Sequence, residues 1–186
     1  MWFTNKINHD LNNTVNSQDG TESYYQQRYW INDLYWDKEN GPVFLYLCGE
    51  GPCSAPDTRK YPFMVGASEN ALLISIEHRY YGDSQPFTNW STENLKFLSS
   101  EQALADLAYF IDEMNAGFQT TIGRKPDWIT IGGSYAGALS AWFHSQYPDH
   151  AIGAWSSSGV IKAIEDFKAY DLQVFTSASR SGEQCP

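Results

Sequence analysis

The chain has 186 residues, 42% hydrophobic and 16% aromatic, enough for one modest buried core and too apolar for a disordered segment. A formal net charge of −10 at pH 7 excludes nucleic acid and anionic membrane surfaces as natural partners. No apolar run approaches the roughly 20 residues of a membrane span.

Trp2 follows Met1 and polar residues come at once, so no signal peptide is expected in these residues. The chain is expected either to start at a mature boundary or to be a piece of a longer protein. There are three cysteines. Cys48 and Cys53 flank Gly49-Glu50-Gly51-Pro52, a tight turn whose ends are near enough either to bridge or to remain two thiols, and Cys185 has no obvious partner. Asn12-Asn13-Thr14 and Asn89-Trp90-Ser91 match the N-glycosylation acceptor pattern. Together these features lean towards an oxidising compartment.

In chain order, residues 2–8 and 24–33 carry β-formers around a polar stretch, which predicts an N-terminal hairpin with a long connection at 9–22. Residues 43–48 form a continuous apolar run of the kind that makes a buried strand. A short helix is expected over 59–69, and a second buried strand over 71–76 leads into Glu77-His78-Arg79. After a polar loop at 84–98, Ser99 and Gln102 form a capping-box pattern, and Leu104, Leu107, Ala108 and Ile111 make one apolar helix face. Gly117 suits the end of that helix. Strands at 128–131 and 151–155 and a helical stretch at 163–179 complete the pattern. Alternating strands and helices predict an α/β fold with a mostly parallel sheet covered on both faces.

The stretch around Ser134 carries the chemistry. A strand reaches Ile131, a helical stripe begins at Tyr135, and Gly132-Gly133-Ser134-Tyr135-Ala136-Gly137 joins them. This is the nucleophile-elbow pattern, with Ala136 in the place usually held by glycine. Small residues are needed because strand and helix approach closely and the serine backbone is strained. Ser134 then projects as a nucleophile and the Tyr135 amide stabilises an oxyanion. The competing reading is a Gly-Ser turn without chemistry.

A serine nucleophile needs a base. His144 lies about 15 Å along the elbow helix at 1.5 Å per residue. His150 belongs to the opposite end of the sheet, and His9 to the polar connection. His78 stands at the correct edge, but flanking Glu77 and Arg79 point to a structural charge network instead. The residues show a nucleophile without a convincing base.

The elbow segment 132–142 and residues 77–84, with Trp2-Phe3-Thr4, Gln27-Arg28-Tyr29-Trp30 and residues 101–106, resemble the serine peptidase family of lysosomal Pro-X carboxypeptidase and dipeptidyl peptidase II. Ala136 and the run to Phe143 are most similar to its thymus-specific serine protease branch. The resemblance implies an incomplete α/β-hydrolase core over 1–162 and, over 163–186, the beginning of an inserted helical domain. It implies that Ser134 is the nucleophile, that the triad Asp and His lie beyond Pro186, and that Gly49, Glu50 and Gly51 supply an oxyanion donor. Glu50 has two other readings, a ligand for a substrate amino terminus or a brace for the turn.

The implied substrates are peptides with proline near a terminus, with no cofactor and no metal. The implied location is lysosomal or secreted, and a homodimer of the complete protein is compatible with the resemblance. An esterase or serine carboxypeptidase with the same elbow, or a catalytically inactive interaction protein, are the alternatives.

Overall fold

The computed structural model describes residues 1–10, 23–182 and 184–185. Its six-stranded sheet has the order β1-β2-β4-β3-β5-β6. β1 (Trp2–Lys6) and β2 (Tyr24–Asn32) are the predicted hairpin strands, paired antiparallel with Trp2 opposite Arg28. β2 pairs antiparallel with β4 (Leu72–Ile76). The remaining pairs, β4 with β3 (Val43–Leu47), β3 with β5 (Trp128–Gly133) and β5 with β6 (Gly153–Ser157), are parallel. The sheet is therefore mixed and mostly parallel, and every residue of β4 is buried, as a strand covered on both faces requires.

Helices cover each face. α3 (Ser100–Ile122) and α4 (Tyr135–Gln146) pack Leu104, Leu107, Ile111, Leu139 and Phe143 against Leu45, Leu47, Ile74 and Ile76. On the other face α1 (Tyr61–Ser68) sets Phe63 against Phe44, Leu73 and Ile131. α5 (Lys168–Ser179) buries none of its residues. No helix among the described residues is long and apolar enough to cross a membrane.

Four local expectations are corrected. The polar loop at 84–98 contains a one-turn helix α2 (Thr92–Leu95), capped by the Ser91 hydroxyl on the Asn94 amide. α3 does not stop at Gly117. It runs to Ile122 and ends on Gly123 at φ 74°, while a Cβ on Gly117 would meet open space, so that glycine neither breaks nor packs the helix. The last strand begins at Gly153, two residues later than expected. The capping box is only half formed. Ser99 Oγ accepts from Gln102 N at 3.2 Å, but the Gln102 side chain accepts from His9 N at 2.9 Å and donates to Asn8 at 2.8 Å. Those bonds fasten the segment after β1, a better use of the amide than its own helix end. Asn12 and most of the long connection lie outside the described residues.

Asp106, on the buried face of α3, joins this hairpin to the sheet. Its carboxylate accepts from Arg79 Nε and Nη2 at 2.7 Å each, from Tyr25 OH at 2.8 Å and from His9 Nε2 at 2.8 Å. Burial pushes this carboxyl up, but the Arg79 charge and hydrogen bonds, with those of His9, outweigh burial and hold it below the usual carboxylate range. An acid so depressed contributes stability that is complete above its unfolded value of about 3.9 and is lost as pH falls through the folded value. Asp106→Asn leaves Arg79 buried without a counter-charge and is expected to lower unfolding stability by about 3–5 kcal/mol near neutral pH. Urea unfolding from pH 7 to pH 3 measures this, and the variant should also lose part of the acid-side decline. A loss below about 1 kcal/mol would contradict the buried-pair account.

Candidate active site

Ser134 sits between β5 and α4 at φ 57° and ψ −127°, a left-handed conformation that a side chain rarely adopts. It is held there by close packing. A Cβ on Gly132 would collide with the carbonyl of Ala136, and a Cβ on Gly137 would stand 2.7 Å from the Ser157 carbonyl oxygen. The Ser134 amide donates to Ser157 O at 3.0 Å, which pins the apex to β6. Ser134 itself is exposed. Tyr135 opens α4, so its amide is one of the first-turn N–H groups that lack an intrahelical acceptor.

Ala136 fills the position where the pattern usually has glycine. It is buried, and its Cβ lies 3.8 Å from where a Cβ of Gly49 would stand, an ordinary van der Waals distance. In the 49–51 turn, Gly51 N donates to Gly49 O at 2.9 Å. Among the described residues no acceptor meets the Gly49 or Glu50 amide.

Cys48 and Cys53 are disulfide-bonded across this turn with Cα atoms 5.7 Å apart, and Cys185 is free and exposed. The turn is also held from beneath. Glu77 is 1% exposed and pairs with no cation among the described residues; its carboxylate accepts from Cys53 N at 3.0 Å, Asp83 N at 3.1 Å and Ser84 Oγ at 2.7 Å. Gly82, at φ 54°, is required here because a Cβ would occupy the space of that carboxylate.

The expected network between Glu77 and Arg79 is corrected: the two do not pair. Arg79 takes Asp106 as its counter-ion and gives its remaining N–H groups to the carbonyls of Lys6, Ile7 and Phe97 at 2.9–3.1 Å. Asp106 was missed because it is 27 residues from Arg79. The available signal was its place on the apolar face of α3, between Ala103 and Phe110.

None of the four histidines bonds Ser134. His144 Nδ1 donates to Ala151 O at 3.0 Å, His150 meets Asp112 at 3.3 Å and His9 meets Asp106 at 2.8 Å. His9 is thus fixed on α3 and not loose in the polar connection. His78 comes nearest in the chain of contacts. Its Nδ1 faces Arg79 O at 2.7 Å and must carry the proton, so Nε2 accepts from Tyr135 OH at 3.0 Å. Burial lowers the basicity of His78, keeping the imidazole neutral near pH 7. Burial, followed by the charges of Tyr81, Glu50 and Glu101, pushes the Tyr135 phenol up to about 12. Asn89 lies exposed, its side chain accepting from Ser91 N at 3.2 Å and Asn94 Nδ2 at 2.9 Å.

A strained serine between a central parallel strand and the helix that follows it, in a sheet of this strand order, defines the α/β-hydrolase class. Among solved structures the chain resembles a probable hydrolytic enzyme from Pseudomonas aeruginosa, with a TM-score of 0.60 at 16% identity over 91% of this chain and 43% of that one. It also resembles a thermophilic esterase from Thermogutta terrifontis, with a TM-score of 0.52 at 12% identity over 100% of this chain and 55% of that one. The chain belongs to the serine carboxypeptidase S28 family, whose family model matches residues 16–186.

Relatives include a probable serine protease, EDA2, of Arabidopsis thaliana, 38% identical over 100% of this chain and 37% of its own length. The human lysosomal Pro-X carboxypeptidase is 35% identical over the same two shares, 100% and 37%. The human thymus-specific serine protease is 38% identical over 79% of this chain and 28% of its own length. The chain therefore spans little more than a third of the curated relatives it matches.

The packing at the elbow separates two substitutions of one methyl group. Gly132→Ala is expected to lose about 1–3 kcal/mol by forcing α4 off β5. Ala136→Gly should lose no more than about 1 kcal/mol, chiefly from helix propensity. Chemical unfolding of the two variants decides it, and equal losses would mean that Gly132 is not a steric requirement.

Proposed function

We propose that this chain is the N-terminal part of a serine exopeptidase that cleaves peptides with proline near a terminus through an acyl-enzyme. The observation that carries the reading is the exposed Ser134 at φ 57°, next to the Tyr135 amide of α4, which meets no acceptor among the described residues. In this mechanism Ser134 Oγ attacks the peptide carbonyl carbon while its proton passes to a base. The carbonyl oxygen becomes an oxyanion held by the Tyr135 amide and by the amides of the 49–51 turn. Collapse breaks the C–N bond, the amine leaves with a proton, and water then hydrolyses the ester.

The base and its orienting acid come from residues outside this chain, since each histidine here is bonded elsewhere. Residues 1–162 are the first part of the hydrolase core, and 163–186 begin an inserted helical domain. α5, which buries none of its residues, supports that division, because a helix with apolar residues all round is normally covered. Proline preference is supported by the relative named for Pro-X cleavage. The disulfide across 48–53 favours a lysosomal or secreted setting. The reaction uses no metal or organic cofactor, and a homodimer is compatible with the family.

A fluorophosphonate probe tests the reading on the full-length gene product. One equivalent should label Ser134, and Ser134→Ala should lose labelling and about 10⁴- to 10⁶-fold in turnover of proline-containing dipeptide amides. Faster turnover of simple acyl esters than of these amides would favour an esterase. Residues 1–186 alone should not label stoichiometrically; if they do, a base is present within them and its assignment elsewhere is wrong.

A further inference from the structure

An open pocket of about 290 Å³ begins at Tyr135, the residue beside the proposed nucleophile, and is lined by Glu50, His78, Tyr81 and the start of α3 at Ser99 and Ser100. Its charge balance is one-sided. No lysine or arginine lines it, and His78, the one basic group there, is kept neutral by burial. The nearby Arg79 is already matched by Asp106.

One feature opposes a negative field. The N-terminus of a 23-residue helix carries about half a positive elementary charge. Glu101 in the first turn of α3 more than offsets that half-charge, and Glu50 remains as a full negative charge at the pocket wall. Both carboxylates act on the Tyr135 phenol in the direction that keeps its proton. That phenol gives its hydrogen to His78, so its oxygen lone pairs remain available as acceptors. Tyr81 adds an aromatic wall of the kind that attracts cations. A carboxylate terminus entering here would meet the like charge of Glu50, whereas an ammonium would meet a counter-ion, phenol oxygens and a π-face.

Building on the peptidase reading above, we propose that this pocket is the subsite for a primary ammonium group of the substrate, with Glu50 as its counter-ion. The enzyme would then select peptides by a free amino group and not by a free carboxylate. Two sources supply that chemistry, the peptide's N-terminus and a lysine side chain.

The test is calorimetric binding of a proline-containing tetrapeptide to the full-length Ser134→Ala protein, which binds without cleaving. The peptide with a free N-terminus should bind about 10- to 100-fold more tightly than its N-acetyl form, the range expected for a charge-assisted hydrogen bond. Glu50→Gln, which keeps the backbone of the turn, should reduce that ratio to within about threefold. An acetylated peptide carrying lysine in place of norleucine distinguishes the side-chain source, and tight binding of that form would assign the pocket to lysine.

Equal binding of all forms, absence of binding, or a ratio unchanged by Glu50→Gln would overturn the proposal. The free-against-acetyl comparison needs no second substitution, so it stands if Glu50→Gln fails to fold. Failure of fluorophosphonate labelling in the parent would reject the peptidase reading without altering this binding readout.

Discussion

Arg79 has no exposed surface, and a guanidinium stripped of water must find both a counter-charge and an acceptor for every N–H. It finds them in three separate parts of the chain. Asp106 supplies the charge from α3, while Lys6, Ile7 and Phe97 supply carbonyls from the end of β1 and from the segment leading into α3. The N-terminal hairpin has little core of its own. β2 is paired along β4, and this satisfied charge ties the end of β1 to α3 as well, with Tyr25 and His9 completing the shell around Asp106. Two residues earlier, Glu77 does the same for the opposite side, fixing the disulfide turn and the 82–84 turn through its buried carboxylate. His78, between them, reaches Tyr135. Three consecutive buried polar residues after β4 therefore connect the scaffold, the turn above the elbow and the side chain beside Ser134.

The elbow is constrained by distance where the tripeptide is constrained by charge. Ser134 can hold a left-handed backbone only because β5, α4 and β6 surround it, and that closeness forbids a Cβ at Gly132. Ala136 shows that the glycine pattern is a matter of space and not of identity. Its methyl group would stand at ordinary contact distance even from a Cβ on Gly49, so a small side chain is accommodated there.

The sheet and most helices were legible because their signals are local. Runs such as 43–48 and 71–76 are short, continuous and apolar, as buried strands are, and the stripe from Leu104 to Ile111 has helical spacing. The elbow was legible for the same reason, since its size restrictions fall within six residues. Asp106 was not. Nothing near it in sequence announces a partner, and the pairing with Arg79 exists only after α3 packs on the sheet. Proximity in sequence suggested Glu77 for Arg79, but the chain after β4 sends the two side chains to different loops. The extension of α3 past Gly117 was hidden for a related reason. One glycine in a helix opposes it by only about 1 kcal/mol, less than the burial of Phe118 against Trp36 and Trp128 returns.

His78 shows why closeness to a site does not make a base. Its Nδ1 faces a backbone carbonyl, an atom that can only accept, so the proton is fixed there. The single lone pair of Nε2 is then taken by the Tyr135 hydroxyl. To receive a proton from Ser134 it would have to give up that bond and become a cation in a buried place beside Arg79, and burial lowers its basicity. Tyr135 is meanwhile held in a fixed orientation by the same bond, next to its own amide at the start of α4. The histidine thus acts on the site through tyrosine geometry. That arrangement suits a residue that shapes the wall of a pocket.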